Sequence, residues 1–357
     1  MSGIYEGDCM IDANKKRIAV LASLFSMLAM AMLSKNVIDA ARRALALCAG
    51  KIVPSIFPFM VASAVLVSNT QSDTFKFAKG TVRFLFGTSS LSPAAIIPGI
   101  VCGYPSGAIC TCALYSDGLI SKSEAESLIA FSNNSGPLFI IGAVGTGMLG
   151  SAKIGAQLYV IHIFSAIVCG IALKAFTKPL RTADTKSSAA KGGSFTDAVC
   201  QSVSTALKVC GFVVIFAVIL KIAEPLFSLF NPYVSCIASA FLEMTNGVCA
   251  AAGLDVPMRI KLTAISAALS WAGLSVHMQI KSITSPVGLS LKKYYLTRPL
   301  ACAVSAYTAY MTFKTPGSRF VLTVNPEKTV LKILTAFSII IAAAVIKQNI
   351  KNKHTAV

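Results

Sequence analysis

Negative charge is what this chain has least of. Its 357 residues hold 14 Asp and Glu against 32 Lys and Arg, and charged residues make up 13% of the total, well under the roughly 25% of ordinary soluble domains. So few charges cannot cover a water-facing surface, which excludes a soluble globular protein of this size. Catalytic and metal motifs are missing too. There is no C-x-x-C, H-E-x-x-H, G-x-S-x-G or diaspartyl pattern, so thiol-redox, zinc and acyl-transfer chemistry have no footing, and no enzyme activity, metal or cofactor is expected. The eleven cysteines are scattered through apolar stretches and read as small buried hydrophobes.

What is present is apolar sequence in long runs. Hydrophobic residues make up 55% of the chain and the mean hydropathy is +0.72. Runs without Asp, Glu, Lys or Arg cover 18–34, 52–72, 84–116, 127–152, 154–173 and 333–346, with shorter ones at 209–220, 262–280 and 299–313. A helix needs about 20 such residues to cross ~30 Å of hydrocarbon, so the chain reads as an all-α, multi-pass membrane protein with the lipid bilayer as its surroundings. The formal charge of +18 sits at the ends and joints of these runs: Lys15-Lys16-Arg17, Arg42-Arg43, Lys174 to Lys191, Lys292-Lys293 and Lys347 to Lys353. Cytoplasmic flanks beside anionic lipid carry such clusters. Both termini and the basic linker are therefore expected in the cytoplasm, and nucleic acid is not expected as a partner.

Residues 1–35 read as a leader and an uncleaved first span, and 36–48 as an amphipathic interfacial helix. Pro54 and Pro58 lie four apart in the next apolar run, which predicts a bent or broken helix. Residues 73–87 alternate charge with phenylalanine, as a helix lying in the membrane surface does. In 84–116 the breakers Pro93, Pro98, Gly99 and Gly103-Tyr104-Pro105-Ser106-Gly107 rule out a straight helix; a re-entrant hairpin with its tip at Gly103 to Gly107 is expected. Ser121-x-x-Glu124 reads as a capping box. It opens a helix that delivers Asn133, Asn134 and Ser135 to the breaker Gly136-Pro137, in an uncharged run. Broken backbone at membrane depth leaves N–H and C=O groups that protein, water or solute must satisfy. The half-helix that resumes would present free N–H groups and a positive dipole end, favouring a carboxylate or phosphate; amide glue between helices is the plainer reading.

A basic, flexible stretch at 177–196 separates two parts, 36–176 and 197–313, and 314–357 adds a last span and a basic tail. Polar interruptions recur in the same order on either side of the linker. Gly103 to Ala108 is answered by Glu243-Met244-Thr245-Asn246-Gly247-Val248, and Asn133 to Leu138 by Ser270-Trp271-Ala272-Gly273-Leu274-Ser275, running on to His277 and Gln279. Identities are few, and Gly-rich apolar sequence aligns by chance as well. Matched interruptions in two halves point to a transporter's midplane site. Glu243 is the only acid between Glu224 and Asp255. Either it snorkels to water at a membrane edge, or it lies in a low-dielectric cavity, where a carboxyl tends to keep its proton and serves proton or cation coupling. His277 shares no helical face with Ser275 and Gln279, so all three line one cavity only on unwound backbone. The candidate binding residues are thus Gly103, Tyr104, Pro105, Ser106, Gly107, Asn133, Asn134, Ser135, Gly136, Glu243, Thr245, Asn246, Gly273, Ser275, His277 and Gln279. His162, in the run 154–173, carries no expected role.

Three segments carry a family likeness: Gly103 to Ala108; Asn133-x-Ser135-Gly136-Pro137-Leu138-Phe139-Ile140-Ile141-Gly142-x-Val144-Gly145-x-Gly147; and Gly273-Leu274-Ser275-Val276-His277-x-Gln279. In this order they resemble signature segments of the sporulation integral membrane protein YlbJ (SpoVV) family, across roughly residues 40–312. The resemblance implies membership of the nucleoside-recognition or Gate group, which is similar to concentrative nucleoside transporters with hairpins and broken helices in two related halves. It implies a transporter active in sporulation, moving dipicolinic acid across the outer forespore membrane, with the hairpin tips, Asn133 to Pro137 and Ser275 to Gln279 along the path. The alternatives are a Gate-group carrier of a nucleoside or other small solute in the bacterial cell membrane, and a scaffold or sensor that transports nothing.

Overall fold

A computed structural model describes residues 3–71, 74–176, 192–227 and 229–313; the linker at 177–191 and the C-terminal span and tail at 314–357 lie outside the described residues. Among the described residues every regular element is helical. Helix α1 (Gly3–Met32) passes into α2 (Ser34–Leu47) through a bend of 95°. Leu21, Phe25, Leu28 and Met32 of α1 are all more than half exposed, a surface that lipid tolerates and water does not. Helix α2 buries only Ala40 and Ala44 and turns Lys35, Arg42 and Arg43 outward, the two-faced helix expected at 36–48.

The proline pair produces a local rewinding rather than a break. Cys48–Ile52 is wound as a π-turn, in which the Val53 N–H reaches back to Cys48 O, and α3 (Val53–Ser68) then continues through Pro58. A π-turn is one way to absorb the hydrogen bond and the space that proline denies a helix. A 3₁₀ turn, Lys76–Ala78, leads into the short amphipathic α4 (Lys79–Phe86), closed by Gly87 at φ +69°. Lys174 donates to Phe84 O and lies 5.4 Å from the Phe84 ring centre.

Helices α5 (Pro93–Val101) and α6 (Ser106–Ser116) pack as a hairpin through Cys102 to Pro105, with a cis Tyr104–Pro105 bond. Nine and eleven residues rise only about 14 and 17 Å, half the ~30 Å of hydrocarbon. Helix α7 (Lys122–Ser132) starts on the predicted cap, Glu124 N–H to Ser121 Oγ at 3.2 Å. The box is only half made, because the Glu124 carboxylate instead accepts from Ser89 N–H at 2.7 Å. After residues 133–137 the chain resumes as a π-helix, Leu138–Met148, and turns into α8 (Ala152–Phe176).

Helix α9 (Phe195–Phe227) opens on a reciprocal box between Ser194 and Asp197. It runs through Lys208 and Lys221, so the short apolar run at 209–220 is the middle of a 33-residue helix. A second hairpin follows, α10 (Pro232–Leu242) and α11 (Met244–Gly253), with Glu243 alone at the turn. Helix α12 (Met258–Trp271) stops at Ala272, α13 (Gly273–Thr284) resumes at once, and α14 (Lys292–Thr312) closes the described chain. By length and composition α8 and α9 qualify as membrane spans, with mean hydropathies of 2.0 and 2.4, and the bent α1–α2 pair makes a third if it counts as one span.

Two buried clusters form the core. One joins Ala94, Ala108, Leu128, Ile129 and Tyr294 around the first hairpin, α7 and α14; the other joins Ile140, Leu158, Met244, Val248 and Leu269 around the second hairpin, the π-helix and α12. Tyr104 packs against both. It therefore sits at the seam.

Candidate functional site

The first hairpin rests on the first helix break by backbone contact. At Gly103, φ is +84°, and a Cβ there would stand 2.6 Å from Gly136 N, so the tip requires glycine for both conformation and space. Gly136 lies in turn against Cys102 O, and Gly107 against Ser132 O. Asn133 ties the two elements together: its Oδ1 accepts from Ala108 N–H and its Nδ2 donates to Ile129 O, both at 2.8 Å. The neighbouring Asn134 donates from Nδ2 to Phe131 O at 3.1 Å, leaving Oδ1 without a protein partner. Pro105 and Ser106 are buried and Tyr104 half-buried.

The second hairpin meets the second break in the same manner. A Cβ on Gly273, at φ +73°, would stand 2.7 Å from Met244 N and 3.0 Å from Glu243 Cα. Glu243 is buried and caps α11, accepting from Asn246 N–H at 2.7 Å and Asn246 Nδ2 at 3.0 Å on one carboxylate oxygen. A helix N-terminus welcomes a negative acceptor, which gives this lone acid a structural reason to be where it is. Ala272 holds φ at +74°, a conformation that costs a residue with a Cβ about 1–2 kcal/mol.

The two assemblies touch through Ser135. Its Oγ reaches Met244 Sδ at 3.3 Å, and its N–H donates to His162 Nε2 at 2.9 Å, while His162 Nδ1 lies 3.0 Å from Ser270 Oγ. Because a backbone N–H can only donate, Nε2 is the acceptor and Nδ1 carries the hydrogen toward Ser270. This buried histidine on α8 thus links one break to the helix end that forms the other. A single His in an apolar run gives no sequence signal for such a link, and only the fold brings its two partners together. Within the break itself the N–H of Ser135 is taken by His162.

Arg298 on α14 went unremarked in the sequence because it borders the apolar run at 299–313. It is 1% exposed. Its Nη2 donates to Ala130 O at 2.8 Å, and its Nη1 to Asn133 O at 3.3 Å and Tyr104 Oη at 3.4 Å, with the Tyr294 ring centre 4.9 Å away. The guanidinium therefore closes the carbonyl end of α7 and touches the first hairpin tip.

Residues 275–279 are helical, not unwound. Gln279 Nε2 approaches Ser275 Oγ at 3.4 Å, one turn apart, whereas His277 points away and donates from Nε2 to Trp271 O at 2.9 Å, against the rings of Trp271 and Tyr294. The three do not converge on one cavity. A cavity of about 600 Å³ opens beside the second hairpin tip between α2, α9 and α10, with Glu243, Thr245, Asn246, Arg43, Lys221 and Glu224 on its wall. Lys221 and Glu224 are ion-paired. Of the candidate residues, Glu243, Thr245 and Asn246 line this cavity; those of the first hairpin, the first break and α13 do not.

No family model matches the chain, and no solved structure does. The chain is similar to the sporulation integral membrane protein YlbJ of Bacillus subtilis (strain 168), 25% identical over 355 residues, with 85% of this chain and 85% of the relative covered. That similarity supports the likeness carried by the three segments above.

Proposed function

We propose that this chain is a sporulation membrane carrier, not an enzyme, and that it moves a small organic anion, dipicolinate, across the outer forespore membrane. One observation carries the reading. Two hairpin tips and two helix breaks, four polar interruptions in an otherwise apolar chain, meet through Gly103–Gly136, Gly273–Met244 and Ser135–Met244, and a cavity of about 600 Å³ reaches one of the tips. Such volume suits a small molecule. Helix ends that meet inside a bilayer are the usual material of a solute site.

In this reading the hairpins are re-entrant, the parts before and after the linker are related halves, the termini are cytoplasmic, and Glu243 carries a proton or cation with the solute. The membrane itself is supported by the apolar helices and by the relative's name, which also supplies the sporulation context. Purified protein in liposomes, offered labelled dipicolinate and, separately, uridine, tests the proposal. Saturable dipicolinate uptake above that of empty liposomes is expected. Uptake of uridine alone would replace the anion with a nucleoside, and no uptake of either would sink the carrier reading.

A further inference from the structure

Arg298 is a buried cation with no anion to match it. Among the described residues no carboxylate pairs with it; the ionisable side chains around it are Tyr104, Tyr294, Cys169, His162 and His277, none of which supplies a negative charge at neutral pH. The carbonyl end of α7 offsets part of its charge, since a helix C-terminus carries about half a negative charge. The remainder stays uncompensated, which is expensive in a low-dielectric interior. A neutral amide would serve as well if ending a helix were the only task.

A second observation lies beside the first. Among the described residues, five buried side-chain N and O atoms have no hydrogen-bond partner in the protein: Arg298 Nε, Tyr294 Oη, Ser106 Oγ, Ser132 Oγ and Asn134 Oδ1. All belong to the first hairpin, the first break or α14, and none to the second hairpin or the second break. Four of the five can donate a hydrogen bond, and the fork of Arg298 matches a carboxylate. Donors in excess around an unmatched positive charge describe a site for an acceptor that bears negative charge.

We infer that Arg298 is the cationic contact for a carboxylate of the transported solute, reached when Tyr104 and the first hairpin tip draw back from it. The inference rests on the carrier reading above and adds to it the residue that selects charge. Tyr104 is placed for the part: it is half-buried, stands at the seam between the two cores, and its hydroxyl accepts from Arg298 Nη1. Glu243 and the cavity of about 600 Å³ lie at the other hairpin, so in this inference charge recognition and the cavity occupy different parts of the molecule.

The test uses the full chain in liposomes with dipicolinate, its monoanion analogue picolinate and neutral uridine. For Arg298→Gln the KM for dipicolinate should rise about tenfold or more, the loss of one charge-assisted contact, with any uridine flux unchanged; Arg298→Lys should fall between. An unchanged KM in Arg298→Gln overturns the inference and leaves the carrier reading standing, whereas a wild-type protein that moves no anion overturns both. If Arg298→Gln does not accumulate, Tyr104→Phe decides. Freeing Nη1 should lower the KM about two- to threefold, by the worth of one weak hydrogen bond, and an unchanged or raised KM rejects the assignment.

Discussion

Alanine at Gly103 should be far more damaging than alanine at Gly118, although both glycines hold a positive φ, +84° and +73°. At Gly118 nothing lies within 4 Å of where a Cβ would stand. Only the conformational cost applies there, about 1–2 kcal/mol for a left-handed residue, less the 0.4–1 kcal/mol or so by which removing a glycine restricts the unfolded chain. The net is about 0.5–1 kcal/mol. At Gly103 the new methyl would stand 2.6 Å from Gly136 N and 3.0 Å from Gly136 Cα, backbone atoms that cannot rotate away. Forcing a methyl into such a contact adds about 1–3 kcal/mol, for a total of about 2–4. Gly273→Ala, 2.7 Å from Met244 N, belongs with Gly103→Ala. The apparent Tm of the three variants in detergent, beside wild type, measures the difference. If Gly103→Ala and Gly273→Ala melt no lower than Gly118→Ala, neither hairpin tip is seated on its helix break, and the convergence on which the functional reading depends is wrong.

The cap on α11 predicts that Glu243→Ala loses about 1 kcal/mol, while Glu243→Gln, which keeps an acceptor for Asn246 N–H, stays within about 0.5 kcal/mol; equal losses in thermal melts would show that the charge and not the cap holds the tip. His162→Leu strips the Ser135 N–H of its partner and should cost about 1–3 kcal/mol, so a melting point equal to wild type would remove His162 as the link between the breaks. With the native cysteines replaced, Asn246→Cys on the cavity wall should react with a membrane-impermeant maleimide, and Ser275→Cys, at 0% exposure, should stay unmodified. Fast labelling of both would mean that the site around α13 is open.

The breaks were legible because they are written in local chemistry. Gly136-Pro137 after two asparagines cannot continue a helix, and Gly103-Tyr104-Pro105 cannot either, so the interruptions fall where residue type alone demands them. The second hairpin was harder to place: its turn is Glu243 alone, closed by a capping carboxylate, where the sequence suggested a tip running on to Gly247. At residues 275–279 the sequence left helix and unwound backbone both open, and the helix that restarts at Gly273 settles it, with Ser275 and Gln279 on one face and His277 on another. Arg298 and His162 were invisible for a different reason. Each matters through partners brought to it by the fold, Tyr104 and Asn133 for the one, Ser135 and Ser270 for the other, the nearest of them 27 residues away, and no local pattern encodes such contacts.

The π-helix Leu138–Met148 closes its turns over five residues where an α-helix uses four, so it holds the same chain in a shorter, wider coil. Its far part is fixed to α8, where a Cβ on Gly145 would stand 2.5 Å from Gly155 Cα. Its near end is Pro137, next to the glycine on which the first hairpin tip rests. Rewinding toward the α form would lengthen and rotate the coil with one end held, and the displacement would be delivered to the break. The winding of the half-helix thus sets where Asn133 to Gly136 sit against Ala108, His162 and Arg298.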